Sequence, residues 1–189
     1  MELKNETLLP ADAQLSWEAL NDPEVLRQCI PGCESMQRIE GDGPDPRYEM
    51  QLVVAVGPVK AKFKARMTIK DVVAPLRYTI AFEGQGGAAG HAKGEARVSL
   101  ESIDANQTML KYDAKATIGG RVAQVGSRLV DSAAKKLAGE FFDRFNALMT
   151  PAEETPTEER PAEADSAEPP ETSALKQSWW DRVRKRRAH

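Results

Sequence analysis

From Arg47 to Gly57 the apolar residues Tyr48, Met50, Leu52, Val54 and Val56 occupy every second position. After Gly57-Pro58 the alternation resumes. Val59, Ala61, Phe63, Ala65, Met67 and Ile69 share one side; Lys60, Lys62, Lys64, Arg66, Thr68 and Lys70 share the other. Period two sustained this long predicts two strands of a sheet with one apolar and one charged face. Ala74-Pro75 turns the chain into a third strand with Leu76, Tyr78, Ile80 and Phe82 inward. Ala92, Gly94, Ala96, Val98 and Leu100 follow the loop GQGGAAG, and Leu110, Tyr112, Ala114, Ala116 and Ile118 form the last inward row. Glu2–Leu9 reads as an opening strand and Cys33–Glu40 as a weaker one. The count is about seven, joined by short turns.

Two stretches depart from period two. After Pro10, Ala13, Trp17 and Leu20 fall on one helical face; Asp22-Pro23 then supplies an N-cap and a first-turn proline for a second short helix, which must stop before Pro31-Gly32. Beyond Gly119-Gly120, Val122, Val125, Leu129, Ala133, Leu137, Phe141, Phe145 and Leu148 recur at steps of three and four. That spacing predicts one amphipathic helix of nearly thirty residues. A one-faced sheet and a one-striped helix each bury their apolar surface against the other, which gives an α+β domain over residues 1–149.

Many inward positions near the helix start are small: Ala61, Ala65, Ala92, Gly94, Ala96, Ala114, Ala116 and Gly126. Because interiors pack densely, such residues either bring the helix close or leave a void. A sheet coiled around a helix opens at one end, which favours the void.

Composition narrows the functional classes. The chain has 189 residues, 41% hydrophobic, with a formal net charge of -3. Residues 1–150 hold 19 of the 26 basic and 20 of the 29 acidic side chains, so the body is near neutral. Neutrality without exposed aromatics disfavours nucleic-acid binding. The N-terminus has neither a basic segment nor an apolar one of the secretory kind, and no apolar run is long enough to span a bilayer. Cys29 and Cys33, spaced C-x-x-x-C, and the histidines His91 and His189 do not make a zinc site or a C-x-x-C redox pair. Free thiols are the simpler reading.

Catalytic motifs fare no better. Gly84-Gln85-Gly86-Gly87-Ala88-Ala89 matches a dinucleotide fingerprint, but an alternating strand follows it where a helix N-terminus would have to meet the pyrophosphate. It reads as a flexible hairpin loop, a lip for the void. Gly126-Ser127 lacks the strand–turn–helix setting of a nucleophile elbow. The inward rows carry Tyr48, Tyr78 and Tyr112 and no His, Asp, Glu or Lys, and His91 falls on the outward parity. Those phenols satisfy local hydrogen bonds or hold a ligand carbonyl. The outward Lys/Arg row, interleaved with Glu49, Glu83, Glu95 and Asp113, reads as cross-strand ion pairs.

Several blocks in register resemble the CoxG family of carbon monoxide dehydrogenase subunits, a branch of the START-like, helix-grip superfamily. They are Asp22 to Leu26 with Cys29 to Cys33, Val56 to Phe63, Gly87 to Gly94, and Gly119 to Leu129 continuing to Phe141-Phe142. The resemblance implies a β-α-α-β6-α order and a hydrophobic cavity between helix and sheet. It also implies service to a molybdenum hydroxylase of the carbon monoxide dehydrogenase type, by recruiting that enzyme to the membrane or by shuttling a respiratory quinone to it. No covalently bound cofactor is expected; menaquinone or ubiquinone is the carried ligand that the resemblance suggests. Three functions compete: a lipophilic-ligand carrier, a recruitment adaptor with an incidental cavity, and a START-like enzyme. The candidate ligand contacts are Tyr48, Val54, Ala61, Phe63, Ala65, Met67, Tyr78, Phe82, Ala92, Ala96, Tyr112, Ala114, Val122, Val125, Gly126 and Leu129.

The tail has two parts. Residues 150–172 are acidic and proline-rich, with one basic residue, Arg160; too little apolar area is present to offset ordering entropy, so a disordered linker is expected. In 173–189, Leu175, Trp179 and Val183 lie at i, i+4, i+8 beside Trp180, and Arg182, Arg184, Lys185, Arg186 and Arg187 crowd around them. Interfacial tryptophans with basic neighbours suit an anionic membrane surface, while a basic amphipathic segment also suits a partner groove. The first option would place the protein in the cytoplasm, peripheral on the inner face of the cytoplasmic membrane.

Overall fold

A computed structural model describes residues 1–40, 45–150 and 179–181. The chain divides into two compact units, Met1–Thr150 and Pro151–His189. The first is an α+β helix-grip fold with elements in the order β1 (Glu2–Leu9), α1 (Ala13–Leu20), α2 (Pro23–Cys29), β2 (Cys33–Ile39), β3 (Arg47–Val56), β4 (Val59–Val73), β5 (Arg77–Gln85), β6 (His91–Asp104), β7 (Gln107–Gly119), α3 (Arg121–Gln124) and α4 (Ser127–Met149). Its seven strands form one open antiparallel sheet in the order β1-β7-β6-β5-β4-β3-β2.

Local chemistry explains the boundaries. Asp12 caps α1 by accepting from the Leu15 amide at 2.8 Å, and Asp22 caps α2 by accepting from Glu24 at 2.9 Å with Pro23 in the first turn. Gly57, at φ 56, turns β3 into β4. The charged face is laced by exposed pairs such as Lys62–Glu34 at 2.9 Å and Arg66–Glu49 at 3.0 Å.

The apolar face packs solidly at one end only. Leu9, Leu15, Trp17, Leu100, Leu110, Phe145, Leu148 and Met149 are all buried there, beneath α1 and the C-terminal turns of α4. Thr108 donates to the Ala11 carbonyl at 2.8 Å and Asn146 to the Leu8 carbonyl at 3.3 Å, tying that end together. At the opposite end Val56, Ala89, Val122 and Val130, from four separate segments, form a smaller buried cluster.

Two expectations are corrected. The predicted helix of nearly thirty residues is broken: α3 has 4 residues, α4 has 23, and Gly126 at φ 95 separates them. The break advances the phase, so Val130 is buried and Leu129, expected inward, is 46% exposed. Leu76, expected inward on the third strand, lies in the β4–β5 turn and is 54% exposed, because the register shifts between Lys70 and Val73 and β5 starts only at Arg77.

Candidate functional site: an apolar cavity in two lobes

Along β3 to β7 many inward residues are only half-buried, among them Val54, Phe63, Ala65, Ile80, Phe82, Ala92 and Ile118. Their apolar side chains face open space instead of packed neighbours. That space is a cavity of about 370 Å³ between the first half of α4 and β3–β7, with Ala133, Ala134 and Leu137 supplying the helical wall. A second lobe of about 250 Å³ lies farther along the sheet, under α1 and α2, against Ala138, Phe141 and Phe142.

Small residues make the first lobe, each for a local reason. Ala65 and Gly84 are paired across β4 and β5, so no side chain fills the middle of that wall. Gly94 is opposite Phe82 on β6, and a Cβ there would sit 2.9 Å from the Phe82 ring and collide with the Lys115 carbonyl. The GQGGAAG loop is a single 3-10 turn, Gly87–Ala89, between two strands, without the helix that a dinucleotide would require. Ala89 within it is buried against Val122, so the loop closes the end of the cavity as part of the core.

The expected contacts divide clearly. Val54, Phe63, Ala65, Met67, Phe82, Ala92 and Val122 line the first lobe, and Tyr78, Ala96 and Tyr112 the second, which Met67 also reaches. The other six do not line either lobe. Tyr48 shares the correct face, opposite Met67, but its hydroxyl donates to the Asn21 carbonyl at 3.5 Å and it borders neither lobe. Ala61 and Val125 pack on the Val56–Val122 cluster. Ala114 is paired between Ala96 and Leu3 and leaves the lining to Ala96. Gly126 is the hinge before α4 and is exposed, as is Leu129. Ile30, Leu52, Ile80, Ile118 and the α4 alanines line the lobes as well, although the sequence pattern does not distinguish them from ordinary core. Of the α4 lining, Ala133, Leu137 and Phe141 lie on the stripe read from the sequence, whereas Val130 and Ala134 appear only once the phase is counted from Val130.

The polar inventory is short. Arg66, Glu83 and His91 border the first lobe, but all three lie on the outward parity and are exposed. The three phenols are held neutral: burial pushes the Tyr48, Tyr78 and Tyr112 hydroxyls above the ordinary tyrosine range. Tyr78 sets its ring edge-on to Trp17 at 5.2 Å, and Tyr112 stacks on Phe142 at 5.5 Å with its hydroxyl directed to Asn5. Neutral phenols can donate a hydrogen bond but not serve as bases near neutral pH. Among the described residues no group of three His, Cys, Asp or Glu could hold a metal. A groove of about 680 Å³ on the outer face is larger, but charged residues including Arg77, Arg97, Lys111 and Asp113 border it, which does not suit an apolar molecule.

In the second unit, Trp179 and Trp180 start a helical turn with ring centroids 5.0 Å apart at 75°. The linker, together with Leu175, Arg182, Val183, Arg184, Lys185, Arg186 and Arg187, lies outside the described residues. No described helix is long and apolar enough to cross a membrane.

Solved structures share this architecture. A conserved protein from Geobacillus kaustophilus is 30% identical, with a TM-score of 0.71, and the match covers 79% of this chain and 95% of that one. A START superfamily protein from Mycobacterium smegmatis is 15% identical at TM-score 0.60, covering 78% and 96%. The Zhui aromatase/cyclase from Streptomyces sp. R1128 is 16% identical at TM-score 0.54, covering 78% and 92%, a likeness of fold alone. Comparison with curated proteins gives no match. Residues 8–149, nearly the whole first unit, match CoxG, the family of carbon monoxide dehydrogenase subunits of that name. By that match the chain is a member of the CoxG family, and its first unit has a START-like fold.

Proposed function

We propose that the protein is a non-catalytic carrier of a lipophilic molecule, a respiratory quinone of the menaquinone or ubiquinone type. In this reading it serves a molybdenum hydroxylase of the carbon monoxide dehydrogenase type and is held at the membrane by its C-terminal segment. One observation carries the carrier reading: inward residues that period two marks as core are half-buried around a hollow lined by apolar side chains. An empty apolar cavity forfeits dispersion contacts, so a fold keeps one at a cost that a ligand offsets. The family description supports the partner. The Trp179-Trp180 pair among basic residues supports the membrane surface, where tryptophan favours the headgroup layer and basic residues the anionic lipid.

Carriage needs no acid or base, and the lobes offer neither an inward carboxylate nor an inward histidine. The test is native mass spectrometry of the full chain extracted gently from its own membranes. A bound mass matching a prenylquinone is expected. Ligand-free protein that still binds the oxidoreductase tightly would instead favour recruitment, and a chemically altered ligand would favour catalysis.

A further inference from the structure

Three side chains border both lobes among the described residues: Ile30, Met67 and Ile80. Met67 on β4 and Ile80 on β5 sit diagonally across the strand pair, since Met67 is opposite Phe82 and Ile69 opposite Ile80. Ile30 caps the end of α2. The two lobes thus adjoin at two branched side chains and a thioether that changes rotamer at little cost.

Volume gives each lobe a capacity. An apolar cavity of about 150 Å³ accommodates benzene, six carbons. On that scale the first lobe, about 370 Å³, takes about 15 carbons and the second, about 250 Å³, about 10. Phenols occur only in the second lobe, where Tyr112 is directed to Asn5 and Tyr78 lies against Trp17.

We propose that Ile30, Met67 and Ile80 form a neck that sets how long a hydrocarbon chain the protein accepts, and that recognition is of the chain and not of a polar head. This rests on the reading of the body as a carrier and adds its specificity. Chains of up to three prenyl units fill the first lobe; longer ones must pass the neck to gain further burial.

The full chain, loaded with the fluorescent naphthalene N-phenyl-1-naphthylamine, is titrated with geraniol, farnesol and geranylgeraniol, and with the ring-only quinone menadione. For the wild type, affinity rises at each step, with geranylgeraniol about tenfold tighter than farnesol because its extra unit is buried beyond the neck. Menadione displaces the probe far more weakly than farnesol. Ile80→Phe keeps the gain from geraniol to farnesol and loses the gain from farnesol to geranylgeraniol. Met67→Phe, which closes the same neck from β4, does likewise where Ile80→Phe does not fold, and Met67→Ala keeps or enlarges the last gain. A wild type that stops gaining at farnesol, a closed-neck variant that keeps the last gain, or menadione matching farnesol overturns the neck while leaving a carrier intact. Failure of the probe, the prenols and long-chain quinones alike to bind removes the carrier reading itself.

Discussion

Phe63 on β4 and Gly86 after β5 are matched in shape: a Cβ on Gly86 would lie 2.6 Å from the Phe63 ring, and Phe63 borders the first lobe. Gly86 has an ordinary φ of -113, so its lack of a side chain serves the ring and not the backbone. Gly86→Ala should therefore fold and push Phe63 into the cavity. The expected result is a several-fold weaker affinity for a hydrophobic fluorescent probe with little change in melting temperature.

Stability should be concentrated at the solid end. Phe145 is fully buried and packs at 6.0 Å on Phe141. Phe145→Ala should lower unfolding free energy by about 3–5 kcal/mol in denaturant titration. Arg66→Ala, which breaks only the exposed pair with Glu49, should cost under about 1 kcal/mol.

Burial pushes the Cys29 thiol up to about 12 from 9.0, with Arg144 opposing. A folded-state pKa above the unfolded one gives stability that is complete below the unfolded value and lost as pH rises through the folded value. Wild type should accordingly lose stability between about pH 9 and about pH 12 more steeply than Cys29→Ala. At pH 8, thiol reagents should label Cys33, which is half-buried, well before Cys29.

The tail should act separately from the body. Liposome sedimentation of the full chain should require anionic lipid and weaken with salt, as screening over ~8–10 Å removes the charge contribution. Trp179→Ala with Trp180→Ala should reduce binding at every salt concentration, and truncation after Thr172 should remove it. Equal sedimentation of the truncated chain would mark the tail as a partner-docking peptide.

The strands were legible because burying one face of a sheet forces period two, and β1 begins and ends where its turn signals place it. The small residues on that face marked the void only in part: Ala65, Ala92 and Ala96 line it, whereas Ala61, Gly94, Ala114, Ala116 and Gly126 do not. Parity, however, tells which face a residue takes and not which strand the hollow reaches at a given height, so Tyr48 and Ala114 share the face without lining it although their cross-strand partners Met67 and Ala96 do. The helix break was hidden because Val122, Val125 and Leu129 read as one continuous stripe across Gly126. A positive φ leaves no mark in a pattern of apolar positions except the glycine itself. In the α4 wall, Ala133 and Leu137 belong to the stripe read from the sequence, and Ala134 and Val130 follow from the corrected phase.

The central claim is that the body is hollow where a solid core would be expected, and Ala65→Trp tests it most directly. Ala65 lines the first lobe opposite Gly84, so an indole there occupies the ligand's space without displacing a buried side chain. In displacement titrations with a long-chain prenylquinone, wild type should bind and Ala65→Trp should not, with the variant still giving a cooperative thermal transition. Equal binding by wild type and a folded Ala65→Trp would contradict the account.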